Sequence, residues 1–189
     1  MGLSINIELS DSDLDHFTEV LKRAHETAGS VDSHQITESA RKLLADASSV
    51  KVPEFIAARL AKLDHLISMV HDVGWGLPDE DKSRVLTALT YFADPKDVIP
   101  DSVPVVGYLD DAIMIELCVR ELKHELEAYE DFCAYRGEQA AVHGEQASGL
   151  GRADWMEDRR QELQERMRRR RDRDSYAHSS PSGGLFRFR

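Results

Sequence analysis

Apolar residues recur in this chain at steps of three and four for most of its length. Leu14, Phe17, Leu21, Ala24 and Ala28 fall on one face of a helix that Ser10 and Asp11 are suited to open and Gly29 to close. Ile36, Ala40, Leu43, Ala47 and Val50 form a second stripe over 32–49. Pro53, tolerated in a first turn, opens a third helix with Ile56, Leu60, Leu63, Ile67 and Val70 on one face and Leu66, Met69 and Val73 widening it. Beyond the helix-breaking Gly74-Trp75-Gly76-Leu77-Pro78, the acidic run Asp79, Glu80, Asp81 suits the positive pole of a fourth helix that buries Val85, Leu86, Leu89, Phe92 and Ala93. The fifth and longest is predicted over 109–135, where Ala112, Ile115, Val119, Leu122, Leu126, Tyr129 and Cys133 continue the stripe without a slip.

The two ends read differently. Leu3, Ile5, Ile7 and Leu9 alternate with polar residues, as in a strand, but nothing else in the chain offers to pair with them, so they predict an extended arm. Gly137, Gly144, Gly149 and Gly151 predict a loose connection. A charged helix follows over 153–171, with Trp155, Met156, Leu163 and Met167 to bury and Glu162–Arg166 and Glu165–Arg169 as i,i+4 pairs. The Ser-, Gly- and Arg-rich remainder predicts a flexible tail. The expected fold is all-α: a compact bundle of about five helices, a charged C-terminal helix and that tail. Its organisation reads as an arm and helix over 1–41 packed on the bundle, a central helical domain over 42–136, and a linker, helix and tail over 137–189.

Charge changes the picture at one end. Residues 152–189 hold 11 Arg against 7 Asp and Glu, a net of +4, so residues 1–151 carry −15 of a chain whose total is −11. An acidic body repels nucleic acid and anionic lipid, which leaves Arg168–Arg171 as the place where either could be touched. Cys118 and Cys133 match no disulfide framework or zinc spacing, the start lacks a basic flank and a long apolar run, and no stretch has the roughly 18 apolar residues of a spanning helix. These features predict a cytoplasmic protein.

One segment carries a signature. Asp94-Pro95-Lys96-Asp97-Val98-Ile99-Pro100-Asp101-Ser102-Val103-Pro104-Val105-Val106-Gly107-Tyr108-Leu109-Asp110-Asp111 joins two apolar helices with three prolines and five carboxylates. Asp94, Asp101 and Asp110 or Asp111 can each cap a turn or helix, with Pro95 and Pro104 in first-turn positions, which gives every residue a structural task. Alternatively Asp97, Asp101, Asp110 and Asp111 converge, and carboxylates held that close call for a hard cation such as Mg²⁺ or Ca²⁺. The spacing is not that of an EF-hand loop. With Tyr91-Phe92 ahead of it, the pattern Tyr-Phe-x-x-Pro-x-Asp-x-Ile-Pro-Asp-x-x-Pro-x-x-Gly-Tyr-Leu-Asp-Asp over 91–111 resembles the YkvA-like family, a bacterial domain of unknown function, and the likeness extends more loosely over 42–136. The resemblance implies a helical domain and brings no reaction or ligand. Some relatives look membrane-associated; here Ser83, Arg84, Thr87, Thr90, Glu116 and Arg120 interrupt any spanning run.

Other candidates are thinner. Glu121-x-x-His124 has the spacing of a di-iron bundle, but a second copy is missing. His65 and His71 point about 240° apart around a helix. Cys118, among apolar residues, reads as a packing group. Trp75 is either a plug closing the core or an anchor for a partner. Leu185-Phe186-Arg187-Phe188-Arg189 alternates like a strand and can add to a sheet edge or dock in a groove. No catalytic constellation emerges. The expected function is therefore that of a non-enzymatic protein-binding or scaffold module attaching through 185–189. A divalent-metal enzyme or sensor at the Asp-rich turn, and a peripheral membrane protein using the Arg-rich helix, are the alternatives.

Overall fold

The computed structural model describes residues 9–27, 32–93, 107–143 and 154–179, and all regular structure among them is helical. The helices are α1 (Asp11–Thr27), α2 (Ser33–Ser48), α3 (Glu54–His71), α4 (Asp79–Ala88) with a 3-10 turn (Leu89–Ala93), α5 (Leu109–Glu121), α6 (Lys123–His143) and α7 (Asp154–Ser179). The all-α expectation holds. Among the described residues no helix is long and apolar enough to cross a membrane. The N-terminal arm over 1–8, most of the Asp-rich turn and the 185–189 peptide lie outside the described residues.

The chain sorts into two units: Met1–Asp72 with Leu77–Leu122, and Val73–Gly76 with Lys123–Arg189. In the first, α2 packs on the 3-10 turn and on α3, α3 packs on α5, and α1 meets the turn, α4 and α5. The periodic residues form its core: Ile36, Ala40 and Ala47 of α2, Ile56, Leu60, Leu63, Ile67 and Val70 of α3, Val85 and Leu89, and Ala112, Ile115 and Cys118 of α5 are all buried. The second row of α3 is buried at Leu66 and Met69 but not at Val73, which lies past the end of the helix and is 60% exposed. Pro53 and Pro78 stand one position ahead of the first turns of α3 and α4, in extended backbone, and the Pro53 carbonyl accepts from the amides of Ile56 and Ala57.

The second unit is α6 against α7, with the short Val73–Gly76 segment packed beside them. Trp75, Leu126, Ala128, Tyr129, Phe132, Met156, Leu163 and Met167 are its buried apolar residues. Gly76 has φ +55°, a left-handed conformation that glycine adopts without a Cβ penalty.

Three boundaries depart from the sequence reading. The long helix predicted over 109–135 is two helices divided at Leu122. Neither Pro nor Gly causes the break; Arg84 Nη2 donates to the Glu121 carbonyl at 3.3 Å, engaging the acceptor that the Glu125 amide would use in an unbroken helix. Gly137 does not end α6, which continues to His143; a side chain there would meet nothing within 4 Å, so glycine fills no steric need in that turn. Finally, α7 runs on to Ser179, so the residues from Asp172, predicted as tail, are helical.

Candidate functional site

The Asp-rich turn enters from Phe92 and leaves through Gly107 and Tyr108, all buried. The Tyr108 carbonyl accepts from the Ala112 amide and so opens α5. Asp110 and Asp111 stand in the first turn of α5 and are 1% and 6% exposed. Carboxylates in that position face the positive pole of the helix. Consecutive residues project about 100° apart around the axis, so these two are directed to different neighbours. Asp81, in the first turn of α4, is buried in the same way. Among the described residues no group of three or more His, Cys, Asp or Glu side chains is placed to hold a metal ion. Asp97 and Asp101 lie outside those residues.

Cys118 is buried and its Sγ donates to the Ala88 carbonyl at 3.1 Å, joining α5 to α4. Burial, reinforced by the Glu121 charge, pushes its thiol far above the usual range, which suppresses the nucleophilic thiolate. Glu121 of the Glu-x-x-His spacing instead approaches His25, with Oε2 at 3.9 Å from Nε2. Trp75 is 0% exposed and tilts against Phe132 and Tyr129 with ring centroids 5.1 and 6.0 Å away. Its carbonyl accepts from Gln164 Nε2 at 2.9 Å, and the Gly74 carbonyl accepts from Arg160 Nη1 at 3.1 Å, so α7 holds the segment by its backbone.

Two of the four arginines of the basic run, Arg170 and Arg171, pair with acids of α6, while Arg169 pairs with Glu165 of its own helix. Arg166 pairs with Asp131, Arg170 Nη1 with Glu127 at 3.1 Å and Arg171 Nη1 with Glu125 at 3.0 Å. One turn further on, Asp174 Oδ2 meets His124 Nε2 at 2.8 Å. The partners descend along α6 as they ascend along α7, so the two helices run antiparallel and zip a charged ladder beside the apolar seam of Leu126, Tyr129, Leu163 and Met167. The hydrogen bond from His124 holds the Asp174 carboxyl below the usual carboxylate range. Of the predicted i,i+4 pairs, Glu165–Arg169 forms, at 3.4 Å, whereas Arg166 turns to Asp131 and Glu162 to Arg159. Sequence reasoning missed the ladder; its signal was the matching four-residue spacing of Glu127 and Asp131 on one helix and of Arg166 and Arg170 on the other.

In the first unit a shallow, mostly apolar groove of about 320 Å³ lies along α2 and α3, lined by Leu44, Ala47, Val50, Val52, Leu60 and Asp64 among others.

A family described as Protein of unknown function (DUF1232) matches residues 81–117, which run from α4 through the turn into α5 and contain the whole 91–111 motif. No curated protein and no solved structure matches the chain.

Proposed function

We propose that this chain is a non-enzymatic helical module of the YkvA-like group, cytoplasmic, which serves as a scaffold and attaches to another protein through Leu185–Arg189. The observation that supports this reading is how the described chemistry-bearing side chains are used. Cys118 is spent on the Ala88 carbonyl and Arg170 and Arg171 on the acids of α6, while Asp110 and Asp111 are buried in the first turn of α5. Leu185, Phe186 and Phe188 follow a Ser- and Gly-rich spacer that cannot bury them locally, and they alternate with Arg187 and Arg189 in the pattern of a peptide that adds to a sheet edge or enters a groove.

The test compares the full chain with a version lacking Gly183–Arg189, each immobilised and exposed to an extract of its source cells. Proteins retained by the full chain and lost with the deletion are the expected result. Retention of every partner by the shortened chain overturns the attachment.

A further inference from the structure

The groove along α2 and α3 leaves apolar surface of the first unit open to water. Val50 is 52% exposed, Ala57 and Ala61 are exposed, and Leu44 and Val52 are half-buried, beside the buried Ala47 and Leu60. Its volume of about 320 Å³ suits the side chains of a short peptide and not a whole helix. Of the residues that line it, Asp64 alone is charged, and Lys51, between Val50 and Val52 in the chain, is not among them. Asp64 is exposed and stands one turn beyond Leu60, whereas Val50 and Val52 precede the first residue of α3, Glu54. The groove is thus an apolar stretch with a carboxylate toward one end. None of these residues falls within the family match over 81–117.

The chain has three apolar stretches outside the described residues, and their charges differ. Leu3, Ile5 and Ile7 are accompanied by Glu8 and by no Lys or Arg. Val98, Ile99, Val103, Val105 and Val106 share the turn with Asp94, Asp97 and Asp101 against Lys96. Leu185-Phe186-Arg187-Phe188-Arg189 carries two Arg and no acid, so it alone complements Asp64 and the −15 of residues 1–151. In an extended peptide alternate side chains share a face, so Phe186 and Phe188 can enter an apolar groove together while Arg187 and Arg189 stay at its rim. Five extended residues span about 16 Å at ~3.3 Å each, and the helix from Glu54 to Asp64 rises about 15 Å at ~1.5 Å per residue.

We propose that the groove along α2 and α3 receives the Leu185–Arg189 peptide of a second copy of this chain. This docking rests on the attachment proposed above and names its partner. Phe186 and Phe188 cover Val50, Ala57 and Ala61, and an arginine on the outer edge of the peptide meets the Asp64 carboxylate. The aromatic pair supplies most of the affinity and the ion pair sets the direction of the peptide, because an exposed pair contributes little.

The experiment is sedimentation velocity of the full chain over a wide concentration range, with a synthetic Gly183–Arg189 peptide as competitor. The chain should self-associate, and excess peptide should return it to monomer, whereas the same peptide with Phe186→Ser and Phe188→Ser should not. Val50→Glu, which sets a charge against the aromatic rings, should weaken association about ten-fold or more. Asp64→Lys should weaken it about two- to five-fold, an effect that added salt diminishes. Both positions are exposed, and circular dichroism verifies that the variants keep their helices. A full chain that stays monomeric at every concentration overturns the proposal, as does association that survives Val50→Glu or deletion of Gly183–Arg189. Tail-dependent capture of other proteins from an extract by a chain that stays monomeric would overturn this docking and leave the attachment reading standing. The wild-type chain and the competing peptide decide the matter even if a variant fails to fold.

Discussion

Arg171 Nη1 lies 3.0 Å from Glu125 Oε1, and the Glu125 side chain is 1% exposed while that of Arg171 is 17%. The other rungs of the ladder between α6 and α7 are considerably more open to water. Exposed pairs are worth about 0–1 kcal/mol each, whereas breaking a buried pair leaves an uncompensated charge and costs about 3–5 kcal/mol. Arg171→Ala should therefore lower the unfolding free energy by about 3–5 kcal/mol, and Arg170→Ala by less than about 1 kcal/mol. Urea unfolding followed by circular dichroism measures both. The paired change Arg171→Met with Glu125→Leu should recover most of the loss, because it removes the stranded charge with its partner. Equal effects of Arg170→Ala and Arg171→Ala would mean that Glu125 is solvated after all.

Trp75 fills the space against Tyr129 and Phe132 with no exposed surface. Truncation to Ala should cost about 3–5 kcal/mol through lost burial and the cavity left behind. In a Trp155→Phe background the remaining indole should resist acrylamide quenching in the folded protein and lose that protection in urea. Full quenching before unfolding would place Trp75 at the surface.

Cys118 should be chemically silent in the folded protein, since its thiol is buried, bonded to the Ala88 carbonyl and pushed upward in pKa. Brief iodoacetamide treatment at neutral pH, read by peptide mass spectrometry, should leave Cys118 unmodified until denaturant is added. Cys133, only half-buried, should react earlier. Native labelling of Cys118 at the rate of Cys133 would contradict the packing.

His71 should titrate below the ordinary histidine value of 6.5, because burial first, and then the charges of Arg41 and Lys82, disfavour its protonated form. The unfolded chain then takes up this proton before the folded one as pH falls. The contribution of His71 to stability is present above pH 6.5 and is lost as pH drops through its lower folded value. The ring is largely exposed, so the effect on stability is small. An NMR titration of the imidazole checks the direction, and Arg41→Ala should move the midpoint part of the way back up. A midpoint at or above 6.5 would refute it.

The helical stripes were legible because each is local: Ile56, Leu60, Leu63, Ile67 and Val70 need only the 3.6-residue turn to share a face, and all are buried. The division at Leu122 was not legible, because neither Pro nor Gly marks it and the bond made to the Glu121 carbonyl at the break comes from Arg84, far away in the chain. The helical run from Asp172 to Ser179 was hidden by composition, since Ser, Arg and Asp read as a tail when their contacts with α6 are out of view. The four carboxylates singled out at the Asp-rich turn were visible as types. The burial of Asp110 and Asp111 came from packing that spacing does not encode.

The order of polar and apolar residues determined by itself that this chain is helical, where most of its helices begin, and which faces they bury, because helix formation and amphipathicity are properties of neighbours in sequence. Tertiary structure alone decided what the charges are for. A run of arginines is the same string whether it faces solvent or acids, and only the antiparallel approach of α7 to α6 turned Arg170 and Arg171 toward Glu127 and Glu125 and set Asp174 against His124.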